Sequence, residues 1–223
     1  MTRSSMEYVQ GIYGFDAVVQ RAEPSDWDTS SPCEGWVARD VLNHVIRTMQ
    51  MVVLPLRGVP TAVPATGSPS EFELPAYDGY VMSPAVGDPQ LLVSDDEDAR
   101  TKWVRRRDEI VELLDDPAAL QRTVLTHWGE KTPDELIPVS TADIVVHTWD
   151  LSRAVDQVPV VDDRLAGLGL DALRELGTQY PIHRPRLLGE SVEAPSTEAP
   201  STEPLHKLLA FTGRDPDWTR AGE

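Results

Sequence analysis

The chain has one cysteine, three lysines and three phenylalanines among its 223 residues. A single thiol, Cys33, cannot form an internal disulfide, which excludes a disulfide-stapled fold and suits a reduced compartment. Positive charge is scarce: 20 Lys and Arg stand against 37 Asp and Glu, a formal charge of −17. Acidity on that scale repels phosphate backbones and anionic lipid headgroups, so neither nucleic acid nor a membrane surface is expected as a partner. No run of about eighteen apolar residues exists to cross a bilayer. The opening MTRSSMEYVQ has no apolar stretch followed by a small-residue cleavage site, so the expected location is the cytoplasm. Glycine-rich phosphate loops and a G-x-S-x-G elbow are missing too, which argues against nucleotide-dependent and serine-hydrolase chemistry. A small-molecule substrate and a monomer or homodimer are what remain.

What is present is helical periodicity, and it predicts an all-α fold. Met6, Val9, Tyr13 and Ala17 recur at helical spacing over 5–22, although Gly11 and Gly14 each weaken a helix by roughly 1 kcal/mol. Over 36–54, Val37, Val41, His44, Val45, Thr48, Met51 and Val52 gather on one face; Arg39, Asp40, Asn43, Arg47 and Gln50 take the other. From Pro55 to Val93 seven prolines interrupt every period, which reads as a long irregular insertion of the kind that forms a lid or shapes a substrate site. Ser94–Glu97 fits a capping box before a helix that Pro117 stops. Thr132–Glu135 offers another, Pro138 should kink or restart that helix, and the secure part is 139–155. Helices are also predicted over 162–176, with Gly177 as C-cap, and over 204–212, closed by Gly213. EAPST occurs twice in succession within 190–204, a solvated linker by composition. The expected organisation is therefore a bundle over 1–189, then a linker and a short C-terminal helix over 190–223. No strand alternation competes with these patterns.

Chemistry concentrates in STADIVVHTWDLSRAV. Asp143 and His147 are four apart and project from one helical face, the spacing by which one helix supplies two ligands to a single ion. Asp150 falls on the same face, placed to orient His147 from behind, to bind the ion itself or to pair with Arg153; the first is preferred. A third ligand must come from another helix, and His44 on its apolar face is the natural donor. Two histidines and a carboxylate with open positions suit zinc and equally non-haem iron. The bland alternatives are a core histidine at 44 and a capping box at Ser140–Asp143 that uses the carboxylate locally. Cys33 reads as a small packed hydrophobe. Trp36, Trp103, Trp128 and Trp149 read as core or pocket wall. His127, His183 and His206 have no spaced partner.

Three segments, SPCEGWVARDVLNHVI (31–46), ADIVVHTWDLSRAV (142–155) and PLHKLLAFTGRDPDW (204–218), resemble in order the actinobacterial metal-binding proteins of the DinB and mycothiol-dependent maleylpyruvate isomerase N-terminal superfamily. The resemblance implies a four-helix bundle with one long crossover and a metal between the helices, held by His44, Asp143 and His147. It implies zinc ahead of nickel or iron, with mycothiol as cosubstrate of an S-transferase or isomerase acting on a small electrophile. Isomerase members carry Glu where this chain has Asp143, and the shorter carboxylate must move the metal or the helix. A hydrolase or cyclase-like enzyme without thiol, and a non-catalytic ligand-binding bundle with a structural ion, stay open beside that reading.

Overall fold

The computed structural model describes residues 1–64, 80–94, 98–126, 128–180, 182, 188, 191–192 and 203–220. Its helices are α1 (Arg3–Val19), α2 (Ala38–Leu56), α3 (Ala99–Leu113), α4 (Pro117–Leu120), α5 (Pro133–Ala154), α6 (Asp163–Gln179) and α7 (Pro204–Phe211). Among the described residues none of these is long and apolar enough to cross a membrane.

The direction of each helix follows from its cross-links. Thr2 donates to Asp134 at 2.7 Å and Gln157 to the Val18 carbonyl at 3.5 Å, so α1 and α5 run parallel. Thr48 meets Asp143 while Cys33, before α2, meets Asp150, so α2 runs opposite to α5. Arg107 pairs with Asp16 and Arg100 donates to the Ala22 carbonyl, which sets α3 antiparallel to α1. Arg57 pairs with Glu109 near the far ends of α2 and α3, which makes those two parallel. The result is an all-α, DinB-like four-helix bundle in which α5 and α3 each contact both α1 and α2.

That topology explains the proline-rich stretch. A chain leaving the end of α2 must return about 28 Å, the length of a 19-residue helix, before it can start α3 in the same direction. The segment read as an insertion is thus the crossover. Asn43 on α2 anchors its return, donating to the Val93 carbonyl at 3.0 Å and accepting from the Val93 amide at 2.7 Å. The crossover also carries strands β1 (Ala62–Pro64) and β2 (Tyr80–Met82), antiparallel with Ala62 opposite Met82. A second antiparallel pair, β3 (Val124–Thr126) and β4 (Gly129–Lys131), precedes α5. The expectation of no strand is corrected here: three residues are too few for a period of two to register in the sequence.

Other local expectations are corrected as well. The buried face of α1 is Tyr8, Ile12, Phe15 and Val19, not Met6 and Tyr13, which are half exposed. Tyr8, Ile12 and Phe15 lock into the core of the bundle, where Phe15 lies 4.8 Å from the Trp103 ring. Gly11 is a close-approach site: a Cβ there would stand 2.9 Å from Ile144 Cγ2. Gln50, assigned to the polar face of α2, is buried. The cap of α3 is Asp98, whose carboxylate accepts from Arg100 and Thr101; residues 95–97 of the expected box lie outside the described residues. α5 continues through Pro138, because burial of Leu136, Ile137, Thr141 and Ala142 on both sides outweighs one missing hydrogen bond. α6 runs past Gly177, where a Cβ would stand 3.1 Å from Ile182 Cδ1, and ends at Gln179. Gly213, at φ +82°, does end α7.

α6 and α7 extend the bundle over the back of α5. Val145, Val146 and Trp149 face Leu165, Leu170, Leu173, Leu208 and Leu209 in a second apolar cluster. α5 is therefore covered on both sides, and its remaining face, Asp143, His147 and Asp150, looks toward α2. The EAPST repeat lies outside the described residues.

Candidate metal centre

α2 and α5 bring together His44 and, about a hundred residues later in sequence, the pair Asp143 and His147. His44 Nε2 lies 3.4 Å and His147 Nε2 3.6 Å from the same atom, Asp143 Oδ1. The donor atoms of all three are within 4.8 Å of one another. The capping alternative for Asp143 does not form, since the N-cap of α5 is Thr132 and Ser140 Oγ donates to the Leu136 carbonyl instead. Asp143 stands in mid-helix, its second oxygen Oδ2 fixed by the Thr48 hydroxyl at 2.7 Å. Thr48 was legible only as a member of the α2 face; its partner was not.

Behind His147 a buried chain of charge holds the ring. His147 Nδ1 is 2.8 Å from Asp150 Oδ2, close but off the direction of the ring N–H, so the contact acts as an ion pair. Asp150 has no exposed surface. Its partner is not Arg153, which donates to the Trp218 carbonyl. Arg214, just past α7, donates to Asp150 Oδ2 from Nη2 at 3.0 Å. Cys33 Sγ donates to Asp150 Oδ2 at 3.3 Å, and Arg214 Nη2 reaches Cys33 Sγ at 3.5 Å. Sequence reasoning passed over Arg214, although it sits in the FTGRDPDW motif; the signal was a lone arginine in a segment that carries the resemblance.

Each charge state has a physical cause. Burial alone would raise the Asp143 carboxyl, but the charges of His147 and His44 and the hydrogen bonds from His44 and Thr48 outweigh it and hold it well below the usual carboxylate range. For Asp150 burial is likewise opposed, by Arg214 and then His147, and its pKa falls to about 2. Burial would lower His147; Asp143, Asp150 and Cys33 reverse that and push it up to about 10. His44 is lowered, by burial first and by the neighbouring His147 charge second. The metal-free centre thus holds its proton on His147 and keeps His44 neutral.

The donor set fits a divalent ion. Metal–ligand bonds of about 2.0–2.2 Å at tetrahedral angles place ligand atoms roughly 3.4 Å apart, which the spacings of 3.4 and 3.6 Å approach. The pair of histidines with one carboxylate is a known zinc and iron ligand set. Their surroundings leave one side open: the side chains of His44 and Asp143 are 28 % and 30 % exposed, against 6 % for His147. Among the described residues no other histidine joins the centre. His206 lies 3.7 Å from Glu203 near α7, and His127 and His183 fall outside the described residues.

Neither a curated protein nor a solved structure matches the chain. A family model does, the mycothiol maleylpyruvate isomerase N-terminal domain, over residues 10–152. The matched stretch holds the second half of α1, all of α2, α3 and α4, and most of α5, with His44, Asp143, His147 and Asp150 inside it and Arg214 beyond it. Since the match spans well over half of the chain and the fold is the helical bundle it implies, the chain belongs to the mycothiol maleylpyruvate isomerase N-terminal domain family.

Proposed function

We propose that the chain is a metal-dependent enzyme, a thiol-dependent S-transferase or isomerase acting on a small electrophile, with His44, Asp143 and His147 as the ligands. The observation that carries this reading is the convergence of two imidazole nitrogens on one carboxylate oxygen with solvent access on one side. Zinc is the first candidate ion, ahead of nickel or iron, and mycothiol the candidate cosubstrate, the latter supported by the match to the mycothiol maleylpyruvate isomerase N-terminal domain family. A divalent ion there lowers the pKa of a bound water or thiol and supplies a nucleophile at neutral pH.

The chain's own groups do the rest. Asp150 fixes the ring of His147 and raises its basicity, while Arg214 neutralises Asp150 so that the pair can stay buried. Thr48 holds Asp143 Oδ2, leaving Oδ1 toward the two imidazoles. Trp36 makes ring contacts with both imidazoles, 5.2 Å from His44 and 6.4 Å from His147.

Elemental analysis of the native protein, followed by incubation with mycothiol and a small electrophilic alkene, tests the proposal. One equivalent of a divalent metal and a thiol adduct or isomerised product by mass spectrometry are expected, both lost in His147→Ala. Metal without thiol chemistry would favour the hydrolase or cyclase-like alternative. Absence of metal, with His147→Ala behaving as wild type, would end the enzymatic reading.

A further inference from the structure

The turn that leads into α2 touches the centre with an aromatic ring. Trp36 lies 5.2 Å from the ring of His44, tilted by 48°, and 6.4 Å from that of His147, almost parallel at 17°. The two imidazoles are 4.5 Å apart, centroid to centroid. All three separations fall in the range of aromatic contact, so the rings form a closed triangle in which the indole bridges two different helices.

The main chain of Trp36 is held in place independently of either histidine. The Ser31 amide donates to the Trp36 carbonyl at 2.9 Å and Ser31 Oγ donates to the same oxygen at 3.0 Å. The Trp36 amide donates to the Cys33 carbonyl at 3.0 Å, and Gly35, at φ +75°, permits the turn. A bridge between Ser30 and Val37 closes it from outside. The same turn carries Cys33 to Asp150, so it reaches His147 from behind as well as across its face. Trp36 is only partly buried although it packs on the core. A tryptophan whose main chain is fixed by three hydrogen bonds and whose ring contacts two candidate ligands is positioned for more than filling space.

We propose that Trp36 is a positioning residue of the metal centre, which sets the mutual tilt of the His44 and His147 rings and blocks one side of the ion against additional water. The proposal rests on the metal reading above. Its consequence is a coordination number: with the indole present the ion keeps few solvent ligands, and without it the ion gains one.

The test uses the full chain loaded with Co²⁺, whose visible absorption intensity falls when coordination number rises, and zinc affinity measured by competition with a chromophoric chelator. Trp36→Leu is expected to lose at least half of the visible absorptivity and about tenfold in zinc affinity, and Trp36→Phe to retain both. A folded Trp36→Leu with unchanged spectrum and affinity overturns the proposal, and so does an equal loss in Trp36→Phe, because a flat ring is all that the argument needs. A second measurement does not depend on the leucine variant folding. In wild-type protein labelled with 5-fluorotryptophan, the Trp36 resonance, assigned with Trp36→Phe, is expected to shift on zinc addition while that of Trp103 stays; a stationary Trp36 resonance overturns it. Failure of wild type to take up Co²⁺ or zinc would remove the metal reading and this one together, whereas an intact wild-type signal with no effect at Trp36 removes this one alone.

Discussion

Arg214 donates to Asp150 at 3.0 Å across 64 residues of sequence, and it is the charge that lets a carboxylate with no exposed surface stand behind His147. Desolvating a carboxylate is costly, and a buried pair broken on one side leaves that cost uncompensated. Arg214→Ala is therefore expected to destabilise the protein by about 3–5 kcal/mol in chemical denaturation. Arg153→Ala, one turn from Asp150 on α5 but donating to the Trp218 carbonyl, should cost much less.

Asp150→Asn tests the same chain from its middle. The amide keeps the shape but cannot hold the His147 ring by charge, so metal affinity is expected to fall by about 10–100-fold. His44→Ala and His147→Ala should abolish stoichiometric binding, read by elemental analysis after dialysis.

Metal uptake should be linked to one proton. At pH 7 the metal-free protein carries a proton on His147, pushed up to about 10, while His44 is already neutral. Apparent metal affinity should therefore rise about tenfold per pH unit above neutrality, flattening near pH 10. Calorimetry in two buffers of different ionisation enthalpy should report close to one proton released per ion.

The same shift governs stability of the metal-free protein. A raised folded-state pKa at His147 gives stabilisation that is complete below the ordinary histidine value and lost as pH climbs through about 10. Asp150, held down to about 2, has the opposite sign: its stabilisation is present above the ordinary carboxylate value and lost as pH falls through about 2. Melting temperatures of metal-free protein should decline from pH 6.5 toward pH 10, and Asp150→Asn should flatten that decline by weakening the hold on the His147 proton.

Two glycines of α6 predict opposite outcomes. A Cβ at Gly169 would stand 2.9 Å from the Ala142 Cα, a backbone atom next to Asp143, whereas one at Gly167 meets nothing nearer than Pro204 Cβ at 3.8 Å. Gly169→Ala should cost about 1–3 kcal/mol, and Gly167→Ala should gain about 0.5–1 kcal/mol from helix propensity. Thermal denaturation of the two variants checks the pair.

Much of the fold was legible because helices are local. The stripe on α2, the Thr132 capping box of α5 and the Gly213 cap of α7 all depend on residues a turn or so apart, and each appears in the structure. The α1 face misled because Met6 and Tyr13 share a period with the true core face, and only packing chooses between two apolar stripes. Pro138 misled because its penalty is local while the burial that overrides it is not.

For the centre, sequence alone determined that Asp143 and His147 share one face of a helix, since the 3.6-residue period requires it. It also determined the acidity that disfavours polyanions and the helical bundle that the family match bears out. Only tertiary structure decided that antiparallel α2 sets His44 and Thr48 at the level of Asp143, that Trp36 spans both imidazoles, and that the C-terminal segment returns Arg214 to Asp150. Those contacts depend on the register between helices and on the route of the crossover, which follow from packing of the whole core and leave no periodic trace in the chain.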